Sequence, residues 1–232
     1  MRDLKKVAII IGAGEYGAAA ALALAERDVC VALIAENFDG TGGKLGDAVA
    51  GGQVAAYTCS FLDIPGIQRT IDEIAARFGR IDILVNAALE RGPDGFWDVE
   101  EEAFQRCVRV NMKLPFFAYQ ACAAHMRTNG GGRAINLSSA FSAVTDGEHQ
   151  IVYGMAKAGV NSLTRQWAVD QCLENIQANS LWIGCSESGE IPPAEQVTDF
   201  VVFLALDASP FVNAAQIPVD GGAYMLRQGS LL

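Results

Sequence analysis

The chain has 232 residues, 51% of them hydrophobic, and carries a formal net charge of -10. That length suits one large domain, and that hydrophobic content excludes a disordered chain. The negative charge argues against nucleic acid as a partner, and the lack of a long uninterrupted apolar run argues against a transmembrane helix.

The first apolar run, Val7 to Ile11, is rich in β-branched residues and ends in Gly12-Ala13-Gly14, not at a small-residue cleavage site. It reads as a buried strand and not as a signal peptide. An alanine- and leucine-rich helix follows over Glu15 to Arg27, then a second buried strand over Val29 to Ile34. Asp39 to Gly52 is glycine-rich and reads as a loop with one short helix. Val54 to Thr58 is a third strand. In Pro65 to Phe78, Ile67, Ile71, Ile74 and Phe78 recur at helical spacing. Asp82 to Asn86 is a fourth strand, and a long helical region runs from Glu100 to Arg127 until Gly130-Gly131-Gly132 stops it. The fifth strand, Arg133 to Leu137, ends in Ser138-Ser139. Tyr153 to Leu173 is helical, Ile176 to Ile183 a sixth strand, Pro193 to Leu206 a helix, and Gln216 to Val219 a short last strand. This alternation predicts an α/β fold: a single Rossmann-type doubly wound domain over residues 1–232, with a parallel sheet of about seven strands and helices on both faces.

Six cysteines occur, none in a Cys-x-x-Cys pair, with only two histidines, His125 and His149, to accompany them; no metal site is expected. Cys30 and Cys59 read as small core residues, and the compartment as reducing, hence cytoplasmic.

Three features carry chemistry. Gly12-Ala13-Gly14-Glu15-Tyr16-Gly17 joins the first strand to the first helix in the Gly-x-Gly-x-x-Gly pattern that cradles a pyrophosphate. The same turn also occurs in α/β proteins without a ligand. Glu36, at the end of the second strand, suits a ribose hydroxyl and would repel a 2′-phosphate; no Arg or Lys stands at positions 35–38, so NAD is favoured, with NADP still open. Glu36 also reads as a solvated loop residue. Tyr153 and Lys157 stand one helical turn apart, so a lysine ammonium beside the phenol is expected to lower the phenol's pKa and fit it for proton transfer.

At these residues the chain resembles the short-chain dehydrogenase/reductase family over nearly its full length. The family's Asn-Asn-Ala-Gly appears as Asn86-Ala87-Ala88-Leu89, its helix Asn as Asn111, its active-site Ser as Ser139, and its Tyr and Lys as Tyr153 and Lys157; Val219-Asp220-Gly221-Gly222 also fits. The resemblance implies that Tyr153 is the general acid/base, that Lys157 lowers its pKa and binds the nicotinamide ribose, that Ser139 orients the reacting oxygen, and that Asn111 holds a water in a relay to Lys157. It implies a cofactor held by Gly12, Gly14, Tyr16, Gly17, Glu36, Ser60, Phe61, Asn86, Ala87, Ala88, Tyr153, Lys157 and Ile183. The expected activity is hydride transfer between a nicotinamide cofactor and an alcohol or ketone. A non-catalytic dinucleotide-binding or scaffold protein on the same fold is the alternative.

The chain departs from the family pattern in several places. Tyr16 and Ala18 stand where the family's second and third glycines would be, Ser60 replaces an Asp, and Ile183-Gly184 replaces a Pro-Gly. The stretch from Ser139 to Tyr153 is one residue longer than usual, and its Asp146, Glu148 and His149 are either pocket-lining or solvated. After Ile183-Gly184 only seven residues, Cys185 to Ile191, precede Pro192-Pro193, too few for a substrate lid. The site is therefore expected to be open or covered by another subunit. Phe116, Phe117, Tyr119 and Trp167 on the long helices suggest a homodimer or homotetramer, or alternatively a cover for the sheet. The expected partner is a small-molecule substrate, with no membrane.

Overall fold

The structure is a computed structural model that describes residues 5–39, 43–92, 95–143 and 151–229. Seven parallel strands form one sheet: β1 (Val7–Ile11), β2 (Cys30–Ala35), β3 (Val54–Thr58), β4 (Ile83–Asn86), β5 (Gly132–Ser139), β6 (Ile176–Ile183) and β7 (Gln216–Val219). Their spatial order is β3-β2-β1-β4-β5-β6-β7. The chain therefore winds outward from β1 in one direction, then crosses back and winds outward in the other. The crevice above β1, between β2 and β4, is the switch point where such sheets hold ligands.

Helices α1 (Glu15–Glu26), α2 (Gly43–Ala50) and α7 (Ala194–Val202) cover one face of the sheet. Helices α3 (Ile64–Phe78), α5 (Leu114–Thr128) and α6 (Ile151–Asp170) cover the other. With both faces covered, the central strands bury every position: all five residues of β1 and all four of β4 are buried. The local chemistry of α3 shows how sequence sets an element. The Asp63 side chain caps the Gly66 amide at 3.0 Å, Pro65 lies in the first turn, and Gly79 ends the helix in a left-handed conformation. Between those signals Ile64, Ile67, Ile71 and Ile74 form the buried stripe.

The long helix expected over residues 100–127 is interrupted. Helix α4 (Glu101–Val108) passes into a wider turn over Arg109–Lys113 before α5 begins. Pro115 has no N–H to offer the carbonyl four residues back, at Asn111, which accounts for the break in the ladder. Strand β5 also runs further than expected and includes Ser138 and Ser139, which pair with Trp182 and Ile183 of β6. The helix expected to reach Leu173 stops at Asp170, and a further helix, α8 (Ala223–Gly229), follows β7. Cys30 and Cys59, expected in the core, are only partly buried: one opens β2 and the other lies just past β3, the edge strand. None of the six cysteines forms a disulfide. Tyr119 and Trp167 do serve as cover for the sheet. Both are buried, and their rings stack 4.1 Å apart. Among the described residues no helix is long and apolar enough to cross a membrane.

A buried polar chain ties the sheet to α6 beneath the crevice. Asn86 donates to Asn136 at 2.7 Å, and Asn136 donates to the Thr164 hydroxyl at 2.8 Å. Thr164 in turn donates to the Val160 carbonyl at 2.8 Å. Replacing Asn136 by Ala leaves the Asn86 amide without its acceptor and the Thr164 hydroxyl without its donor in a dry setting. The expected cost is about 3 kcal/mol of stability, read by urea unfolding.

Candidate active site

The glycine turn is built by steric necessity at two of its three glycines. Gly12 has φ +109°, and a Cβ there would lie 2.5 Å from the Ala88 amide nitrogen. A Cβ on Gly17 would lie 2.0 Å from the Gly12 carbonyl oxygen. Around Gly14 the space is open to 4 Å. Ala87 and Ala88 are thus the wall behind the turn, with the Ala87 amide bonded to the Ile11 carbonyl at 2.8 Å. The turn leads directly into the N-terminus of α1, whose free amides and dipole favour an anion. A tight turn, an open middle glycine and a helix N-terminus together fit a pyrophosphate. Tyr16 crosses from this turn to the segment after β6, its hydroxyl donating to the Pro192 carbonyl at 3.1 Å.

At the other end of the crevice, Glu36 follows β2. One carboxylate oxygen accepts from the Ser60 hydroxyl at 3.4 Å and from the Phe61 amide at 3.3 Å. The other faces Arg106 of α4 at 3.5 Å, and Arg106 also bonds Glu90 at 3.0 Å. Arg106 and Glu90 were not singled out by the sequence. Their pairing with Glu36 spans some 70 residues, and no local spacing announces it. Asn86, grouped above with the cofactor residues, turns its amide inward to Asn136, and its Oδ1 is buried without a partner.

Ser139, Tyr153 and Lys157 meet where β5 ends against the first turns of α6. The Ser139 hydroxyl accepts from the Phe141 amide at 3.2 Å and lies close enough to the Tyr153 phenol to draw its pKa down. Ser138 points the other way, toward the Lys157 carbonyl at 3.4 Å. Lys157 is buried and donates to the Leu137 carbonyl at 2.9 Å; its ammonium lies 5.6 Å from the centre of the Tyr153 ring. Among the described residues no carboxylate forms an ion pair with it. Asn111 is fully buried and its side chain is committed: Nδ2 donates to the Glu90 carbonyl at 2.6 Å and the Cys107 carbonyl at 2.9 Å, and Oδ1 accepts from the Glu90 amide at 3.3 Å. It clamps the segment after β4 to the helix. Cys107, also missed by sequence reasoning, packs beside Val152 and Tyr153. Ile183 closes β6 opposite Ser139.

The electrostatics correct one expectation. The Tyr153 phenol is not lowered but pushed up to about 12, because burial outweighs the Ser139 hydroxyl and the Arg91 charge that pull it down. Burial likewise lowers Lys157 to about 8. Both groups resist charge in this dry setting, and the ammonium 5.6 Å away does not reverse it.

The segment after β6 forms a tight turn, with the Ser186 amide bonded to the Glu190 carbonyl at 2.8 Å and the Ser186 hydroxyl accepting from the Glu190 amide at 3.1 Å. Asp146, Glu148 and His149 lie outside the described residues. Among the described residues, no cluster of three or more His, Cys, Asp or Glu side chains is placed to hold a metal ion.

Comparison with known proteins agrees with this geometry. The family described as short chain dehydrogenase matches residues 6–191. The chain is 29% identical over 242 residues to cis-4-hydroxycyclohexanecarboxylate dehydrogenase of Sinomonas cyclohexanicum, spanning 94% of this chain and 96% of that one. A short-chain type dehydrogenase/reductase from Mycobacterium marinum superposes with a TM-score of 0.87 at 29% identity, over 95% of this chain and 96% of that one. A gluconate 5-dehydrogenase from Burkholderia cenocepacia J2315, solved in complex with NADP and tartrate, superposes with a TM-score of 0.85 at 27% identity, over 95% of each chain.

Two measurements follow from the geometry. Gly17→Ala forces a Cβ into the Gly12 carbonyl and is expected to cost more than about 2 kcal/mol, whereas Gly14→Ala meets nothing and stays within about 0.5 kcal/mol of wild type. Thermal unfolding of the two variants side by side reads the difference. Lys157 provides the second. Its folded pKa of about 8 lies below the ordinary 10.5, so the unfolded chain binds the additional proton between those values. Wild-type stability therefore rises from this group between pH 8 and 10.5, and the full cost of the buried charge is carried below pH 8. Lys157→Met removes that cost. The variant is expected to be more stable than wild type at pH 7, with the gap closing toward pH 10.5, in chemical denaturation across that range.

Proposed function

The chain belongs to the short chain dehydrogenase family of oxidoreductases, and on that footing we propose that it transfers hydride between a nicotinamide dinucleotide and a small secondary alcohol or its ketone, with Tyr153 as acid and base. The observation that carries the reading is the buried Ser139–Tyr153 hydroxyl pair beside Lys157, on the same sheet edge as the glycine turn. The named relatives act on a hydroxycyclohexanecarboxylate and on gluconate, which supports a hydroxylated small molecule as substrate.

In this reading Gly12, Gly14 and Gly17 shape the pyrophosphate cradle, with Ala87 and Ala88 as its wall. Tyr16 and Ile183 border the nicotinamide end, and Glu36, Ser60 and Phe61 border the adenosine end. When bound, the nicotinamide supplies or accepts the hydride. Ser139 holds the substrate oxygen against the Tyr153 hydroxyl, which gives up its proton in reduction and takes one in oxidation. Lys157, charged below about pH 8, favours the phenolate as it forms and hydrogen-bonds the cofactor's ribose. With the Asn111 side chain occupied, any relay from Lys157 runs through the Asn111 backbone carbonyl, which Pro115 deprives of its helical donor. Glu36 favours NAD over NADP by charge. The partly exposed Phe104, Phe116 and Phe117 along α4 and α5 support pairing of two copies through that face.

Tyr153→Phe is expected to lower turnover by roughly 10² to 10⁴ while leaving NADH binding by fluorescence titration unchanged. Undiminished turnover in that variant would remove Tyr153 from the chemistry. The high phenol pKa also sets a pH signature. The phenol is protonated across pH 6–9, so reduction should vary little up to about pH 8 and decline above it as Lys157 loses its charge. Oxidation needs the phenolate, whose population grows up to about tenfold per pH unit below 12, so its kcat/KM should climb steadily from pH 7 to 9.

A further inference from the structure

Arg106 occupies a position that the glycine turn and the catalytic residues do not explain. Helix α4 carries its guanidinium from Glu90, after β4, to Glu36, after β2, with Nε 3.0 Å from Glu90 and Nη2 3.5 Å from Glu36. It therefore spans the crevice over the switch point. The remaining Glu36 oxygen is held by Ser60 and Phe61, so the carboxylate is fixed while the cation rests against it. In a dinucleotide fold, an acidic side chain at the end of the second strand accepts from the ribose 2′-hydroxyl, whereas a nearby Arg accommodates a 2′-phosphate. This chain places both groups in contact. A guanidinium has five N–H donors in a planar fork suited to phosphate, and the Glu90 and Glu36 contacts engage only part of that fork.

We propose that Arg106 sets how strictly the site discriminates between NAD and NADP. Glu36 alone repels the 2′-phosphate; with Arg106 seated against it the carboxylate's field is offset, and a cation is available to the phosphate. The wild-type chain thus accepts both cofactors with a modest preference for NAD. The inference rests on the dinucleotide reading of the preceding section. Arg106 is about two-fifths exposed, and an ion pair of that exposure adds little to stability, so its replacement leaves the fold intact.

The test is a set of fluorescence titrations with NADH and with NADPH on wild type, Arg106→Gln, Arg106→Lys and Glu36→Gln, with no turnover required. Wild type should bind the two with Kd values within about tenfold of each other. Arg106→Gln should weaken NADPH at least about tenfold more than NADH, Arg106→Lys, which keeps the charge but not the fork, should fall between it and wild type, and Glu36→Gln should move the ratio at least about tenfold toward NADPH. A shift of both affinities by the same factor in Arg106→Gln, or none in either, would overturn the role of Arg106 and leave the dinucleotide reading standing. Binding of neither cofactor by wild type would overturn that reading, and this inference with it.

Discussion

A lysine buried with no carboxylate paired to it among the described residues is the constraint on which the site depends. Taking an ammonium out of water is costly, and here one hydrogen bond to the Leu137 carbonyl is its direct compensation. That bond requires the end of β5 to lie against the second turn of α6. The polar chain from Asn86 through Asn136 to Thr164 holds the same strand to the same helix deeper in the molecule. Tyr153 stands one turn before Lys157, so whatever fixes the lysine also fixes the phenol against Ser139. The fold accepts an unfavourable charge at the point where β5 meets α6, beside the Tyr153 phenol.

The two groups do not help each other as simply as their spacing suggests. An ammonium 5.6 Å from a phenol ring should favour the phenolate, yet burial raises Tyr153 and lowers Lys157. Desolvation acts on each charge separately, whereas their attraction acts only when both are present. At neutral pH the resting arrangement is therefore a charged ammonium beside a neutral phenol. The charged pair is stabilised only by what enters the pocket, which places the tuning of the site at the moment of binding and not in the folded chain alone.

Much of this was legible in the sequence, because the legible parts rest on local rules. Strand and helix periods, the glycine turn and the one-turn spacing of Tyr153 and Lys157 are set by near neighbours in the chain. The parts that were not legible depend on contacts across the fold. Arg106 meets Glu36 only because β4 lies beside β1 in the sheet, and no pattern within α4 points to it. Asn111 reads as a helix residue in sequence, but the break that Pro115 causes in the helix and the path of the chain after β4 turn it into a clamp. The balance between burial and charge at Tyr153 is likewise a property of the packed site and of no single residue.

Two departures from the family pattern meet in space. A tyrosine stands where a glycine is usual in the turn, and the loop after β6 is too short to fold over the site. The Tyr16 hydroxyl reaches the Pro192 carbonyl at 3.1 Å and joins the two. Tyr16 also lies close enough to Tyr153 to raise its pKa slightly, so this bridge stands beside the chemistry. A long lid must be ordered on closing, at an entropic cost for each residue fixed. A single aromatic side chain with two rotatable angles orders far fewer degrees of freedom. The bulk at the turn and the short segment after β6 thus meet through one hydrogen bond, where Tyr16 rests on the chain that leads into α7.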